Sequence, residues 1–345
     1  MRKGSRDISE VAHRCIGAFV QNRLSPVSRS AAFLTIGLAI AGPVISIGTN
    51  FSFTTLPNIV HLIAAVLVID VLSRFAPQTR TVVTVQTLLF GILYLAITCV
   101  CAVVAAYASQ RFGLPLRDKF FANIDSALGL NWLEFVRWVD KHPVIHQIFH
   151  WAYSSLSFQV ALPVVVLAFL NRLNEVRVYV LAFALALTLT ITISALLPAA
   201  GPIAAVDPMT FDIMRFTGAT PVEHLMRLRE PGQLILTDAP GGIATFPSFH
   251  ATVAVLVPLT LRRYRGLLVI LLMLDAAMLA GTITEGAHYF CDTIAGIAMA
   301  FFSLAVAKRL IAVEDRISAF ALLRGTDSPL RPITSQNSSE QPEML

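Results

Sequence analysis

VVTVQTLLFGILYLAITCVCAVVAA, residues 82–106, runs for twenty-five residues without one charged side chain. At about 1.5 Å of rise per helical residue it exceeds the roughly 30 Å hydrocarbon core of a bilayer, so it reads as a membrane-spanning helix. Working outward from it, further apolar runs fall at 31–47, 56–72, 152–170, 178–197, 248–261, 267–283 and 289–310, of which 248–261 is short. Composition agrees. A chain of 345 residues that is 56% hydrophobic and 14% charged, with mean hydropathy +0.71, is too apolar to keep its surface in water. The expected fold class is all-α, a polytopic membrane helix bundle of about eight transmembrane helices.

Basic residues orient such a bundle, because short cytoplasmic loops retain Lys and Arg. Arg2, Lys3, Arg6, Arg14 and Arg23 precede the first run, and the loops carry Arg74 and Arg80, Arg172 and Arg177, and Arg262, Arg263 and Arg265. Lys308, Arg309 and Arg316 follow the last run. With eight crossings all of them fall on one side, and both termini are expected in the cytoplasm, in the inner membrane if the source is bacterial. Topology thus explains the net charge of +5. No nucleic-acid partner is required, since no basic patch is interleaved with exposed aromatics. Cys15, Cys99, Cys101 and Cys291 show no disulfide spacing. No cleavable signal peptide is expected, because the first apolar run starts about thirty residues in and carries Gly42-Pro43.

Before the first span, Ile8, Val11, Ala12, Cys15, Ile16, Phe19, Val20 and Leu24 recur at helical spacing, as in an interfacial helix on anionic lipid; a partner-binding helix is the alternative. Two connections are long, 109–151 and 198–245, and both face away from the cytoplasm on the expected topology. The first holds Trp132, Trp138 and Trp151 with Phe120, Phe121 and Phe135. Tryptophan favours the headgroup level, so one or two amphipathic helices are expected there, roofing a lipid cleft. The second connection, rich in Pro and Gly, leads into Phe246-Pro247-Ser248-Phe249-His250. No internal repeat of the transporter kind is present.

The histidine of that motif and a second one in Glu285-Gly286-Ala287-His288-Tyr289-Phe290-Cys291-Asp292 both stand at the start of apolar runs on the outer side. Helix N-termini attract anions, and Ser248 adds a hydroxyl there. His288 and Asp292, four apart, share a helix face, so the carboxylate holds one imidazole nitrogen and the other becomes a phosphoryl acceptor. His250 then serves as acid to the leaving oxygen and as base for the incoming water or alcohol.

Pro-Ser-x-His at Pro247, Ser248 and His250, with His-x3-Asp at His288 and Asp292, resembles the type-2 phosphatidic acid phosphatase superfamily. Its pattern is Lys-x6-Arg-Pro, Pro-Ser-Gly-His and Ser-Arg-x5-His-x3-Asp, and the resemblance covers roughly 82–310. It implies a six-helix catalytic core, His288 as nucleophile through a phosphohistidine, Asp292 as its partner, His250 as general acid, Ser248 as a phosphate contact, and no metal or other cofactor. Phe249 stands where the pattern has glycine, Thr282 where it has arginine, and no Lys-x6-Arg-Pro precedes the first motif. His-Tyr followed by Asp without the arginine is more similar to the inositol phosphorylceramide synthase and sphingomyelin synthase branch, as are 124–132 and 246–250. That branch moves a phospho-headgroup between lipids.

The implied organisation is an amphipathic cytoplasmic segment at 1–30, two additional spans within 31–80, the core at 81–312 and a largely disordered cytoplasmic tail at 313–345. Phe249, Tyr289 and Arg229 join Ser248 as expected substrate-binding residues. Arg229 is the arginine chosen, over Arg215 and Arg227, to offset phosphate charge. The expected function is lipid phosphotransfer at the extracytoplasmic face, from a membrane phospholipid to a lipid hydroxyl. A phosphatidate or isoprenoid-phosphate phosphatase using water and a non-catalytic transporter or scaffold are the alternatives; the oligomeric state is open. His142, His146 and His150 imitate a metal stripe, but Pro143 starts a helix that leaves His142 at its cap, so a headgroup-facing histidine face is expected. Asp70, Asp275 and Glu285 receive no catalytic role.

Overall fold

The computed structural model describes residues 28–48, 51–53, 79–206, 210–211, 219–232, 234–236 and 242–326. Most of the 1–30 segment, the expected span at 56–72, Arg215 and the tail beyond 326 lie outside these residues. Hydrocarbon offers no partner to a backbone N–H or C=O, so apolar runs fold into helices that satisfy both internally. The long helices are α1 (Arg29–Gly48), α2 (Arg80–Gln110), α7 (Leu173–Leu196), α10 (Arg265–Thr284) and α11 (Phe290–Thr326). Between α2 and α7 lie α3 (Asp118–Ala127), α4 (Trp132–Asp140), α5 (Pro143–Ser154) and α6 (Leu156–Phe169), and beyond α7 come α8 (Ala219–Arg229) and α9 (Phe249–Leu261). A parallel pair of three-residue strands, β1 (Phe51–Phe53) and β2 (Leu234–Leu236), sets Phe51 opposite Leu234.

The protein is an integral membrane helix bundle. Among the described residues, α2, α7, α10 and α11 are each long and apolar enough to cross a bilayer, and α5 with α6 makes a fifth candidate bent by 49°. The Arg29–Val44 part of α1 and α9 are apolar but shorter, so full-length candidates account for four or five of the eight expected crossings. The fourth run differs most from expectation. Its helix begins at Pro143 rather than near 152, and it breaks at Ser155, whose hydroxyl bonds back to the Ala152 carbonyl at 2.6 Å, a contact that bends helices. The last helix continues to Thr326, beyond the expected end near 310.

α9 sits at the centre, packed by α6, α7, α10 and α11. It is apolar on every face, which suits a helix enclosed by others. Lipid gives no hydrophobic drive for association, so close backbone approach matters more, and small residues permit it. A side chain at Gly296 of α11 would run into the Ser248 carbonyl at the head of α9, and a Cβ at Gly281 of α10 would lie 2.9 Å from the Phe149 carbonyl of α5.

The two ends of the bundle differ. At one, Arg177 bonds Asp315 at 2.7 Å and lies 3.4 Å from Glu314, Ser30 reaches Glu314, and Arg263 pairs with Glu175. At the other, α3, α4 and α5 fold over the N-termini of α9 and α11. The 109–151 connection is therefore helical, as expected, and packs into the bundle: the Trp132 indole donates to the Ile283 carbonyl at 2.9 Å.

Candidate active site

The chain leads into α9 through Ser248 and into α11 through His288 and Tyr289, and these two helix starts meet. The Ser248 N–H donates to the Asp292 carbonyl at 3.0 Å, and the Thr252 hydroxyl donates to the Gly296 carbonyl at 2.9 Å. Just before His288, Ala287 adopts φ 48°, a left-handed conformation that costs a non-glycine residue about 1–2 kcal/mol. That turn sets His288 ahead of the helix.

His288 and Asp292 form the expected pair. Nδ1 lies 3.2 Å from Asp292 Oδ2, and the same oxygen accepts the Tyr289 N–H at 3.0 Å. Asp292 is fully buried. A carboxylate on Nδ1 fixes the proton there and leaves the lone pair on Nε2, the arrangement a nucleophilic imidazole needs. His250, in the first turn of α9, lies within electrostatic reach of His288. Its ring is covered by Tyr153, stacked at 3.8 Å and 10°.

The helix N-termini are used differently from the simplest expectation. Asp125 of α3 accepts the Phe290 and Cys291 N–H groups, both at 2.8 Å, so a protein carboxylate already occupies the head of α11. At α9 the Ser248 hydroxyl oxygen accepts from Ala251 N–H at 3.4 Å. The N–H groups of Phe249 and His250 remain without a hydrogen-bond partner among the described residues. Of the two helix starts, that of α9 is the one with open N–H groups to offer an anion.

The other expected residues are engaged by the protein. Phe249 packs into the core against Phe183, ring centroids 5.3 Å apart. The Tyr289 hydroxyl donates to Asp118 at 3.1 Å, and Asp118 in turn accepts the N–H groups of Ala200 and Gly201. Burial first, and then the Asp118 carboxylate, push the Tyr289 phenol above its ordinary pKa, so it stays a donor. Arg229 donates to the Leu114 carbonyl, and no contact among the described residues joins it to either histidine. Thr282, where the resemblance expects arginine, is fully buried and ties α10 to α11 through Thr293 Oγ1 at 2.8 Å. Its side chain is part of the packing.

One cluster departs from expectation. His142 caps α5, and His146 and His150 follow on one face as expected; both meet Glu285 rather than headgroups. Glu285 Oε2 lies 2.8 Å from His150 Nδ1 and Oε1 lies 3.0 Å from His146 Nε2. The helical spacing of the histidines is legible in the sequence, but only the packing of α5 on α10 reveals their partner. The carboxylate oxygens meet the ring nitrogens directly, and no three His, Cys, Asp or Glu side chains among the described residues are grouped to hold a metal.

A family model described as the PAP2 superfamily matches residues 119–306, from α3 into α11, and includes Ser248, His250, His288 and Asp292. No curated protein and no solved structure matches the chain.

Proposed function

The chain belongs to the PAP2 superfamily, whose match spans more than half of its length, and from that premise we propose a membrane lipid phosphotransferase working through a phosphohistidine. One observation carries this reading: a buried His288–Asp292 pair beside His250, where the starts of α9 and α11 join. His288 Nε2 attacks phosphorus in line with the leaving oxygen, while Asp292 holds the opposite nitrogen and steadies the ring as it gains charge. His250 protonates the leaving lipid alcohol. The open N–H groups of Phe249 and His250 and the positive end of α9 receive phosphate oxygens, and the Ser248 hydroxyl still has a proton to donate. The acceptor hydroxyl then displaces His288.

Transfer to a lipid alcohol is favoured over hydrolysis by the dryness of the site. Phe246 stacks on Phe121 at 4.6 Å, Tyr289 leans on Phe121, and Tyr153 covers His250. Such a lining limits water and admits lipid. Release of free phosphate with water as acceptor is the second reading, favoured where the substrate is a phosphomonoester.

The basic residues support the orientation. Arg80, Arg172, Arg263, Arg265 and Lys308 lie at the end of the bundle remote from the histidines, and the retention of cations in the cytoplasm favours an extracytoplasmic site. The test is turnover by purified protein in detergent with phosphatidate, an isoprenoid phosphate, phosphatidylinositol or phosphatidylcholine, with and without diacylglycerol or ceramide. A transferred headgroup supports the reading, and free phosphate supports the hydrolase. Wild-type rates in His288→Ala would remove the phosphohistidine, and turnover of none of these substrates by the wild-type protein would leave a non-catalytic role.

A further inference from the structure

We propose that a cavity at the end of the bundle remote from the histidines binds the headgroup of an anionic phospholipid. The cavity has a volume of about 140 Å³ and lies where the start of α7, the end of α9 with its turn into α10, and α11 come together. Three cations line it, Arg262, Arg263 and Lys308, against one carboxylate, Glu175. Arg263 takes that carboxylate at 3.1 Å. Arg262 reaches the Leu259 carbonyl at 3.4 Å, and neither it nor Lys308 pairs with a carboxylate among the described residues. Two uncompensated positive charges thus border one hollow, within electrostatic reach of each other. They repel, and a phosphate between them turns that repulsion into attraction.

The same end of the bundle shows how a cation is otherwise matched. Arg177 is buried and meets Asp315 at 2.7 Å and Glu314 at 3.4 Å. Retention of cations accounts for arginine and lysine standing at this end. It does not account for two of them facing a cavity without a carboxylate.

Depth and lining point to a lipid. Lys308 comes eighteen residues after Phe290, where α11 starts, a rise of about 27 Å. With that start at one membrane surface, and a hydrocarbon core roughly 30 Å thick, Lys308 stands near the phosphates of the opposite leaflet. Val178, Leu259 and Leu304 supply apolar walls, and the cavity borders the first turn of α7, the positive end of that helix. Its volume is well below the roughly 300–1,000 Å³ of pockets that enclose a drug-sized ligand. It suits a phosphodiester group, with the acyl chains left to the outside of the bundle. Basic pockets between membrane helices recognise anionic headgroups in this way. A headgroup held here ties together the far ends of α9 and α11, the helices whose starts carry His250 and Asp292, and it does so whatever the chemistry at His288.

Native mass spectrometry of the purified protein in detergent, titrated with dioleoyl phosphatidylglycerol or with phosphatidylcholine of the same chains, tests the site. Phosphatidylglycerol should bind about tenfold tighter or more. The double variant Arg262→Ala/Lys308→Ala should lose about tenfold or more in phosphatidylglycerol affinity and nothing for phosphatidylcholine, while Arg262→Lys/Lys308→Arg keeps both. Lipid at the histidine site would be unmoved by either change. Both side chains are exposed, so melting temperatures without lipid should match that of the wild type. If the double alanine variant melted lower, Lys308→Gln alone should still lose about threefold in affinity. Arg80→Ala removes a cation of the same end outside the cavity and should change nothing; an equal loss there would reveal diffuse surface charge and overturn the site. Equal affinities of the wild type and the alanine variants would overturn it as well. If millimolar inorganic phosphate protected the wild type from heat and not the double alanine variant, while phosphatidylglycerol protected neither, the ligand would be a soluble phosphate and the lipid assignment would fall.

Discussion

Asp292 serves two donors with one oxygen, the His288 ring and the Tyr289 backbone. Asparagine at this position keeps the shape but removes the charge and presents an amide that can turn its nitrogen toward the ring. Asp292→Asn should lower kcat/KM by about 10²–10⁴-fold, the range for a mispositioned catalytic imidazole, with the melting temperature nearly unchanged. His250 calls for a different comparison, because its proton matters only when the leaving group is a poor one. With p-nitrophenyl phosphate, whose phenolate leaves unaided, His250→Ala should lose at least about tenfold less activity than with an alkyl lipid phosphate. Equal losses on both substrates would remove the acid role. The His288–Asp292 pair is legible in the sequence because its spacing is local to one helix start, although His288 precedes the first turn of α11 instead of sharing a helix face with Asp292. The packing of Phe249 is not, since the face of α9 that meets Phe183 is decided by α7, far away in sequence. Arg229 misleads for a like reason: order along the chain places it before the motif, and α8 carries it to the Leu114 carbonyl.

At the scale of elements, the head of α11 depends on α3. Asp125 takes two backbone N–H groups that have no partner within their own helix, and it does so from 166 residues away at Cys291. Asp125→Ala strands both in a buried turn, at about 1–3 kcal/mol for each unsatisfied donor. A lower melting temperature and a loss of turnover should follow together, because His288 and Asp292 flank the same turn. If thermal unfolding monitored by tryptophan fluorescence were unmoved, α3 would not be holding the site. Helix existence is legible from the apolar runs, and the 109–151 helices from their aromatic content. The break at Ser155 and the true start of α5 are not, because His146, Gln147 and His150 interrupt apolarity where the helix continues. Glu285 reads in the sequence as an anion that would repel phosphate; in the fold two histidines from α5 face it.

The whole molecule has a polar asymmetry that its sequence foretells. The histidine site closes one end, and at the other Arg177, Glu314, Asp315, Arg263 and Glu175 tie α7, α11 and the α9–α10 turn together. If cations are retained on the cytoplasmic side, the second end is the inner one. Two exposed positions read this out in a variant with its native cysteines replaced by serine. Lys141 follows α4 at the site end, and Arg263, 64% exposed, stands at the other. Arg263 pairs with Glu175, and an exposed pair of this kind contributes about 0–1 kcal/mol, so its replacement leaves the bundle standing. A membrane-impermeant maleimide applied to intact cells should label Lys141→Cys at once and Arg263→Cys only after the membrane is opened. The reverse pattern would put the chemistry in the cytoplasm. The substrates would then be lipids of the inner leaflet, and the basic cluster would need an explanation other than topology.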